Sequence, residues 1–369
     1  MQRDEPPKRL KIGEGYISGY LSILFSLVSL GGVICFRYPE YFTTPEFRAV
    51  YPVDLLRWVL FACIVVSFGF AFVSFILSRK IKLALFGILL AAAAILLGGT
   101  TIEIKEIDQN ITSISLDWLL IDIVILSVIF IPIELFFPKR TEQTKFHPEW
   151  KTDAIYFVIA HLLVQYTAIV IRFPAENLFG NAGLESVQAI VVALPFIIQL
   201  LLAMFTADLF QYAAHRMFHT NHIMWRFHAV HHSIKVIDWV AGSRLHLVDV
   251  LVTRALSYLP LYLLGFSVQV FYTYIVIVAL QAVAAHANTR IPFGFLKYVL
   301  VTPQYHHWHH SDDPRFYNKN FAIHFPLIDR IFGTYYLPGD EWPASTGLGE
   351  VKFPKGYIRQ FFYPFRGSR

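Results

Sequence analysis

Eight runs of this chain are apolar over about 18 residues or more, and no other feature constrains its folding as tightly. A backbone inside hydrocarbon must pair its N–H and C=O groups internally, and a helix does so within a single segment. The runs cover residues 17–36, 55–78, 83–100, 119–137, 154–171, 187–207, 247–265 and 266–285. With 56% hydrophobic and 15% charged residues, the chain reads as an all-α, polytopic membrane protein rather than a soluble domain. The last two runs have no polar loop between them, which predicts a tight hairpin that enters the bilayer without having to cross it. The run at 187–207 is expected to continue as helix through Asp208 to His219.

The net charge of +5 is modest, and Lys and Arg flank the apolar runs instead of forming a stripe, so no nucleic-acid partner is expected. The start of the chain is a polar, basic tail without an evident cleavable signal peptide, which makes the first run an uncleaved span. Basic groups (Arg3, Lys8, Arg9, Lys11; Arg79, Lys80, Lys82; Lys139, Arg140, Lys145, Lys151) alternate with acidic loops (Glu40, Glu46, Asp54; Glu103, Glu106, Asp108, Asp117). Lys and Arg in short loops favour the cytoplasmic side. Counting spans then puts both termini and every histidine cluster in the cytoplasm. Asn110-Ile111-Thr112 forms a glycosylation sequon on the opposite face, and Cys35 and Cys63 sit inside apolar runs as inert thiols. The chain divides near Pro138: residues 1–137 hold about four spans and no histidine, and residues 138–369 hold all fifteen.

Three histidine clusters carry the chemistry: His215/His219, His228/His231/His232 and His306/His309/His310. On a helix, positions i, i+3 and i+4 share a face, so each cluster is expected to aim two or three imidazoles at one point. Imidazole is a neutral ligand for iron, zinc, copper or nickel. Eight ligands are too many for one ordinary site, which implies a two-metal centre on helices emerging from a membrane. His286, where the hairpin returns to the same face, is the ninth candidate, and His307 is an extra one pointing about 100° from His306. Two readings stand for Asp208: a partner for an imidazole N–H, or a helix-end acid in the interface. Arg244, His246 and Asn288 are candidates for placement beside the ligands or at the substrate's rim. His147, His161 and His222 read as structural, and His324 is unassigned.

From His147-Pro148-Glu149-Trp150, through Ala207-Asp208-Leu209-Phe210-Gln211-Tyr212-Ala213-Ala214-His215-Arg216-Met217-Phe218-His219, His228-Ala229-Val230-His231-His232 and Thr302-Pro303-Gln304-Tyr305-His306-His307-Trp308-His309-His310, to Asp329-Arg330-Ile331-Phe332-Gly333, the chain resembles the fatty acid hydroxylase/sterol desaturase superfamily. That resemblance covers about 200 residues, with the ordered histidine boxes as its specific part. It implies membrane helices under a cytosolic helical cap that holds a histidine-rich di-metal centre. It further implies two iron ions, O2 as co-substrate, and hydroxylation, desaturation or oxidative cleavage of a membrane lipid. Electrons would come from a separate donor, cytochrome b5-like or a ferredoxin with its reductase. The matching ligand positions are His215, His219, His228, His231, His232, His306, His309 and His310, with His286 as the ninth. The sequence departs from the family at Arg244-Leu245-His246-Leu247-Val248-Asp249, where Leu247 and Asp249 replace a proline and a glutamate. It departs again at Asn318-Lys319-Asn320-Phe321-Ala322, where alanine replaces a glycine, and at Ile328, where tryptophan often stands.

The expected location is a bacterial inner membrane or the ER membrane. The rival reading is a histidine-rich metal transporter or metal-binding scaffold, for which ionisable ligands would be spread across the bilayer midplane.

Overall fold

The computed structural model describes residues 13–48, 52–78, 81–105, 113–144, 146–163, 166 and 184–366. The basic tail, the sequon, Arg79, Lys80, Glu106, Asp108 and Lys145 lie outside the described residues, as does most of 163–171 in the fifth run. Among the described residues the long elements are all helical. In order they are α1 (Tyr16–Arg37), α2 (Val53–Ser78), α3 (Ile81–Leu96), α4 (Leu116–Phe136) and α5 (Trp150–Leu162). Then follow α6 (Glu185–Ala193), α7 (Phe196–Thr220), α8 (His222–His232), α9 (Leu247–Leu263), α10 (Val268–His286), α11 (Pro303–His309), α12 (Pro326–Ile331) and α13 (Tyr357–Phe361). Among the described residues six segments are long and apolar enough to cross a membrane: α1, α2, α3 with the turn after it, α4, α7 and α10. The protein is a multi-pass membrane protein.

The chain forms two compact units, and the division falls within α4, which belongs to the first unit up to Val128 and to the second from Ile129. In the first unit, α1 packs on α2 and α3 through small residues. Ser26 Oγ lies 2.8 Å from the Gly87 carbonyl and 2.9 Å from Ser67 Oγ. A Cβ on Gly87 would collide with Ser22, so the close approach requires glycine there. Small residues let membrane helices approach where no hydrophobic force draws them together.

The second unit holds thirteen of the fifteen histidines and His147 as well, with His161 in the first unit. The helix expected to run unbroken from 187 to 219 is interrupted at Leu194-Pro195. Proline has no N–H to continue the ladder. Gln199 Nε2 replaces what is lost, donating to the carbonyls of Val192 (3.2 Å) and Leu194 (2.8 Å). From Phe196 the helix continues past Asp208 to Thr220, as the sequence predicts. The hairpin is present as α9 and α10, turning at Gly265, whose φ of 72° is the left-handed region that glycine tolerates. Helix α10 is long enough to span, so the second arm of the hairpin can cross.

Candidate metal centre

Four helices deliver the nine histidines. His215 and His219 close α7. Helix α8 starts one residue after it, with Asn221 Oδ1 accepting from the backbone N–H of Ile223 (2.9 Å) and Met224 (3.2 Å). That cap fixes the register of His228, His231 and His232. His286 is the last residue of α10. Helix α11 opens on Pro303 with Thr302 as its cap, and presents His306 and His309, with His310 just beyond.

The nine side chains form two groups: His215, His219, His228, His232 and His309 in one, and His231, His286, His306 and His310 in the other. Within each group one nitrogen from every residue lies within 4.8 Å of the rest. The clusters therefore do not each aim at one point. On α8, His228 and His232 serve the five-histidine group while His231 serves the four-histidine group; on α11, His306 and His310 separate from His309 in the same way. Helix geometry explains the split. Positions i and i+4 are about 40° apart, whereas i+3 lies about 60° to the other side of i. The groups interleave, with ring centroids of His232 and His310 4.5 Å apart and those of His306 and His309 5.2 Å apart.

The donor set fits bound cations. A neutral imidazole carries one proton, and a carbonyl can only accept it. His231 Nδ1 donates to the Arg244 carbonyl (3.2 Å) and His286 Nδ1 to that of Ala282 (2.7 Å). Both Nε2 atoms are then bare, yet they face each other at 3.3 Å. Two lone pairs directed at one another in a dry interior repel unless a cation lies between them. Other facing Nε2 pairs within a group are His215–His228 (3.1 Å), His232–His309 (3.0 Å), His286–His306 (3.0 Å) and His306–His310 (3.1 Å). Two nitrogens bound to one ion at about 2.0–2.1 Å and at right angles are about 3 Å apart. His219 Nε2 is buried without a hydrogen-bond partner among the described residues, as a metal-directed lone pair would be. Burial first, and neighbouring imidazoles second, hold His228, His231, His232, His306, His309 and His310 well below the usual histidine pKa. These side chains are thus neutral and able to coordinate at ordinary pH.

The remaining sequence candidates fall elsewhere. Asp208 is not an imidazole partner. Its carboxylate accepts from the backbone N–H groups of Ile323 (2.8 Å), His324 (3.0 Å) and Phe325 (2.7 Å). The imidazole partner is Asp249, whose Oδ2 lies 2.6 Å from His228 Nδ1. Asp249 was visible in the sequence only as a departure from a family pattern, because the contact joins α8 to α9. His246 does not face the ligands; its Nδ1 accepts from Val248 N to cap α9 and its Nε2 donates to the Phe361 carbonyl (3.0 Å). Asn288 is tied to Arg140 and Gln143, and His307 stands outside both groups, its ring edge-on to Trp342. Arg244 is placed beside a ligand, since its carbonyl receives His231, while its guanidinium is buried against Asp153 and Glu149. His147 sits 3.3 Å from Asp153 and 3.6 Å from Asp238. His161 lies 3.3 Å from Asp122 within the first unit, and His324 packs against Tyr274.

The sequence marks 318–322 only as a departure from the family pattern and does not show that this loop anchors ligands. Lys319 O accepts from His309 Nδ1 and Phe321 O from His215 Nδ1, both at 2.8 Å. Asp329 grips the same loop through the N–H groups of Phe321 and Ala322 and also accepts from Tyr305 Oη (2.8 Å). Asn318 and Asn320 both have φ of 60°, a conformation asparagine adopts more readily than most residues.

Residues 200–334 match the fatty acid hydroxylase family model. Over 172 residues the chain is 34% identical to an ornithine lipid hydroxylase of Rhizobium tropici, covering 46% of this chain and 51% of that protein. It is 31% identical over 172 residues to an alkylglycerol monooxygenase of Danio rerio, covering 46% of this chain and 37% of that one. It is also 31% identical over 155 residues to a very-long-chain aldehyde decarbonylase of Oryza sativa subsp. indica, covering 39% of this chain and 24% of that one. The chain thus matches about half or less of the length of these relatives. No solved structure is similar enough to count as a match. The nine histidines all lie inside the segment that is similar to the fatty acid hydroxylase family model.

Proposed function

We propose that this protein is an O2-dependent oxidoreductase that binds two iron ions and hydroxylates or desaturates a C–H bond of a membrane lipid. The observation that carries the reading is the set of nine imidazoles in two adjacent groups, each with bare nitrogens facing one another. The names of the relatives, a lipid hydroxylase and an alkylglycerol monooxygenase among them, support a lipid as substrate.

Iron bound here would supply the redox electrons that O2 reduction needs and that zinc lacks. In hydroxylation one oxygen atom enters the C–H bond and the other leaves as water, with two electrons and two protons from the donor. The protein's part is positional. His215, His219, His228, His232 and His309 would hold one ion, and His231, His286, His306 and His310 the other. Asp249 and the carbonyls of Lys319, Phe321, Arg244 and Ala282 fix the ring orientations, and burial of the ligands keeps water from the reacting centre.

The lipid would enter from the bilayer beside α7 and α10, which are long and apolar enough to cross it and end in candidate ligands. The electron donor is a separate protein, cytochrome b5-like or a ferredoxin with its reductase. Both termini and the centre face the cytoplasm of a bacterial inner membrane or ER membrane. The test is iron content and O2 consumption by purified protein with reductant and lipid, alongside lipid extracts from cells with and without the gene. About two firmly held irons per chain and a hydroxylated or desaturated lipid support the reading. Saturable metal flux without O2 uptake would replace it with a transporter.

A further inference from the structure

The four-histidine group rests on a set of carboxylates that lies largely outside the segment matched by the family model. Glu134, in the last turn of α4 and part of the second unit, is buried, with 6% of its surface exposed. Its Oε1 accepts from two backbone N–H groups far apart in sequence: Trp239 (2.8 Å) and Asn288 (2.9 Å). Asn288 follows the ligand His286 by two residues. Trp239 opens the turn that reaches Arg244, whose carbonyl receives the ligand His231.

These two strands of chain meet at the metal centre. A Cβ on Gly242 would lie 3.0 Å from His286 Nδ1 and 3.3 Å from the Ala282 carbonyl that fixes this ring. The 239–244 turn is therefore pressed against His286 at one end and holds His231 at the other. Asp238 Oδ1 caps the turn through Val240 N (3.1 Å) and Ala241 N (3.0 Å), and the Arg244 guanidinium is anchored by Asp153 and Glu149. Around His286 the end of α4 is stitched on again by Arg140 N to Asn288 Oδ1 (2.8 Å) and Arg290 N to the Phe137 carbonyl (2.8 Å). By contrast, the five-histidine group is anchored by Asp249 and the 318–322 loop.

We propose that Glu134 is a positioning residue for the four-histidine group, setting His231 and His286 against each other by clamping the 239–244 turn to the end of α10. This inference rests on the reading of the nine histidines as a two-metal centre. One carboxylate oxygen accepting two N–H groups does what no neutral apolar residue can, and losing it leaves two backbone donors unpaired. Groups that orient ligands in this way typically govern metal affinity by about 10–100-fold.

The test is iron per chain on the purified full-length protein, with chelator titration and Mössbauer spectra of the 57Fe-loaded form, for wild type, Glu134→Ala and Glu134→Gln. The glutamine retains an accepting oxygen. Expected are about two irons on the wild type, the four-histidine iron lost from Glu134→Ala at about 10–100-fold lower chelator with the other spectrum unchanged, and near-wild-type retention in Glu134→Gln. Two equally firm irons on Glu134→Ala, or equal weakening of both, overturns the inference. If Glu134→Ala does not fold, Gly242→Ala decides: it pushes on His286 from the same turn, and selective loss of one iron supports the clamp while two firm irons refute it. Fewer than two irons on the wild type would remove the reading of the centre, and this inference with it.

Discussion

Nitrogen by nitrogen, the centre depends on which ring atom keeps its proton. His228 relies on the Asp249 carboxylate at 2.6 Å. Asp249→Ala should weaken metal binding about 10–100-fold, read as the chelator concentration at which iron leaves. His231→Ala and His309→Ala, one from each group, should lose metal and all turnover while the protein stays in the membrane; full iron in both variants would refute the ligand assignment. His147 gives a separate pH handle. Burial opposes its charge, but Asp153 and Asp238 outweigh burial and raise its pKa to about 9. A raised histidine pKa stabilises the fold fully below its unfolded value of about 6.5, and that contribution disappears as pH rises through about 9. His147→Gln should flatten the loss of thermal stability between those pH values, a difference of about 2–3 kcal/mol. The histidines were legible in the sequence because ligand spacing is local, three or four residues along one helix. Asp249 and Glu134 were not, because their partners come from other helices and no spacing encodes them.

Among the elements, the most informative departure is the break before α7. An apolar run shows that helix is wanted but not where a proline divides it, and the compensating donor, Gln199, reads in sequence as an ordinary polar residue. Gln199 also accepts from Ser267 N (3.2 Å), so one side chain joins the end of α6, the start of α7 and the α9–α10 turn. Gln199→Leu should lower thermal stability by about 1–3 kcal/mol with iron content unchanged at permissive temperature. If metal is lost as readily as stability, this junction is part of the centre's own support. The two HxxHH helices teach a related lesson. Their motif points to metal ligation, but the allotment of i and i+4 to one group and i+3 to the other appears only when α8 and α11 face each other.

At the scale of the whole molecule, acid should destabilise the fold as alkali does, but through different histidines. The six imidazoles on α8 and α11 that burial holds low resist protonation when folded, while the unfolded chain takes up protons below about pH 6.5. Stability of the metal-free protein should therefore be intact above that pH and fall as pH drops through it, measurable as a declining melting temperature in detergent. The helical, polytopic character was legible from apolar run lengths alone, since hydrocarbon permits few alternatives. The same architecture couples the lipid phase to the candidate ligands. Helices α7 and α10 are both long and apolar enough to cross the bilayer and both end in candidate ligands, whereas α8 and α11, which supply the others, are too short to cross it. Helices whose apolar length exceeds or falls short of the hydrocarbon thickness respond by tilting. A thicker or thinner membrane should thus tilt His215, His219 and His286 against partners on helices too short to span, and acyl chain length should then alter retention of the proposed metals. Reconstitution in vesicles of increasing chain length should show an optimum thickness on both sides of which iron is held less firmly, a way for the membrane to regulate the proposed activity.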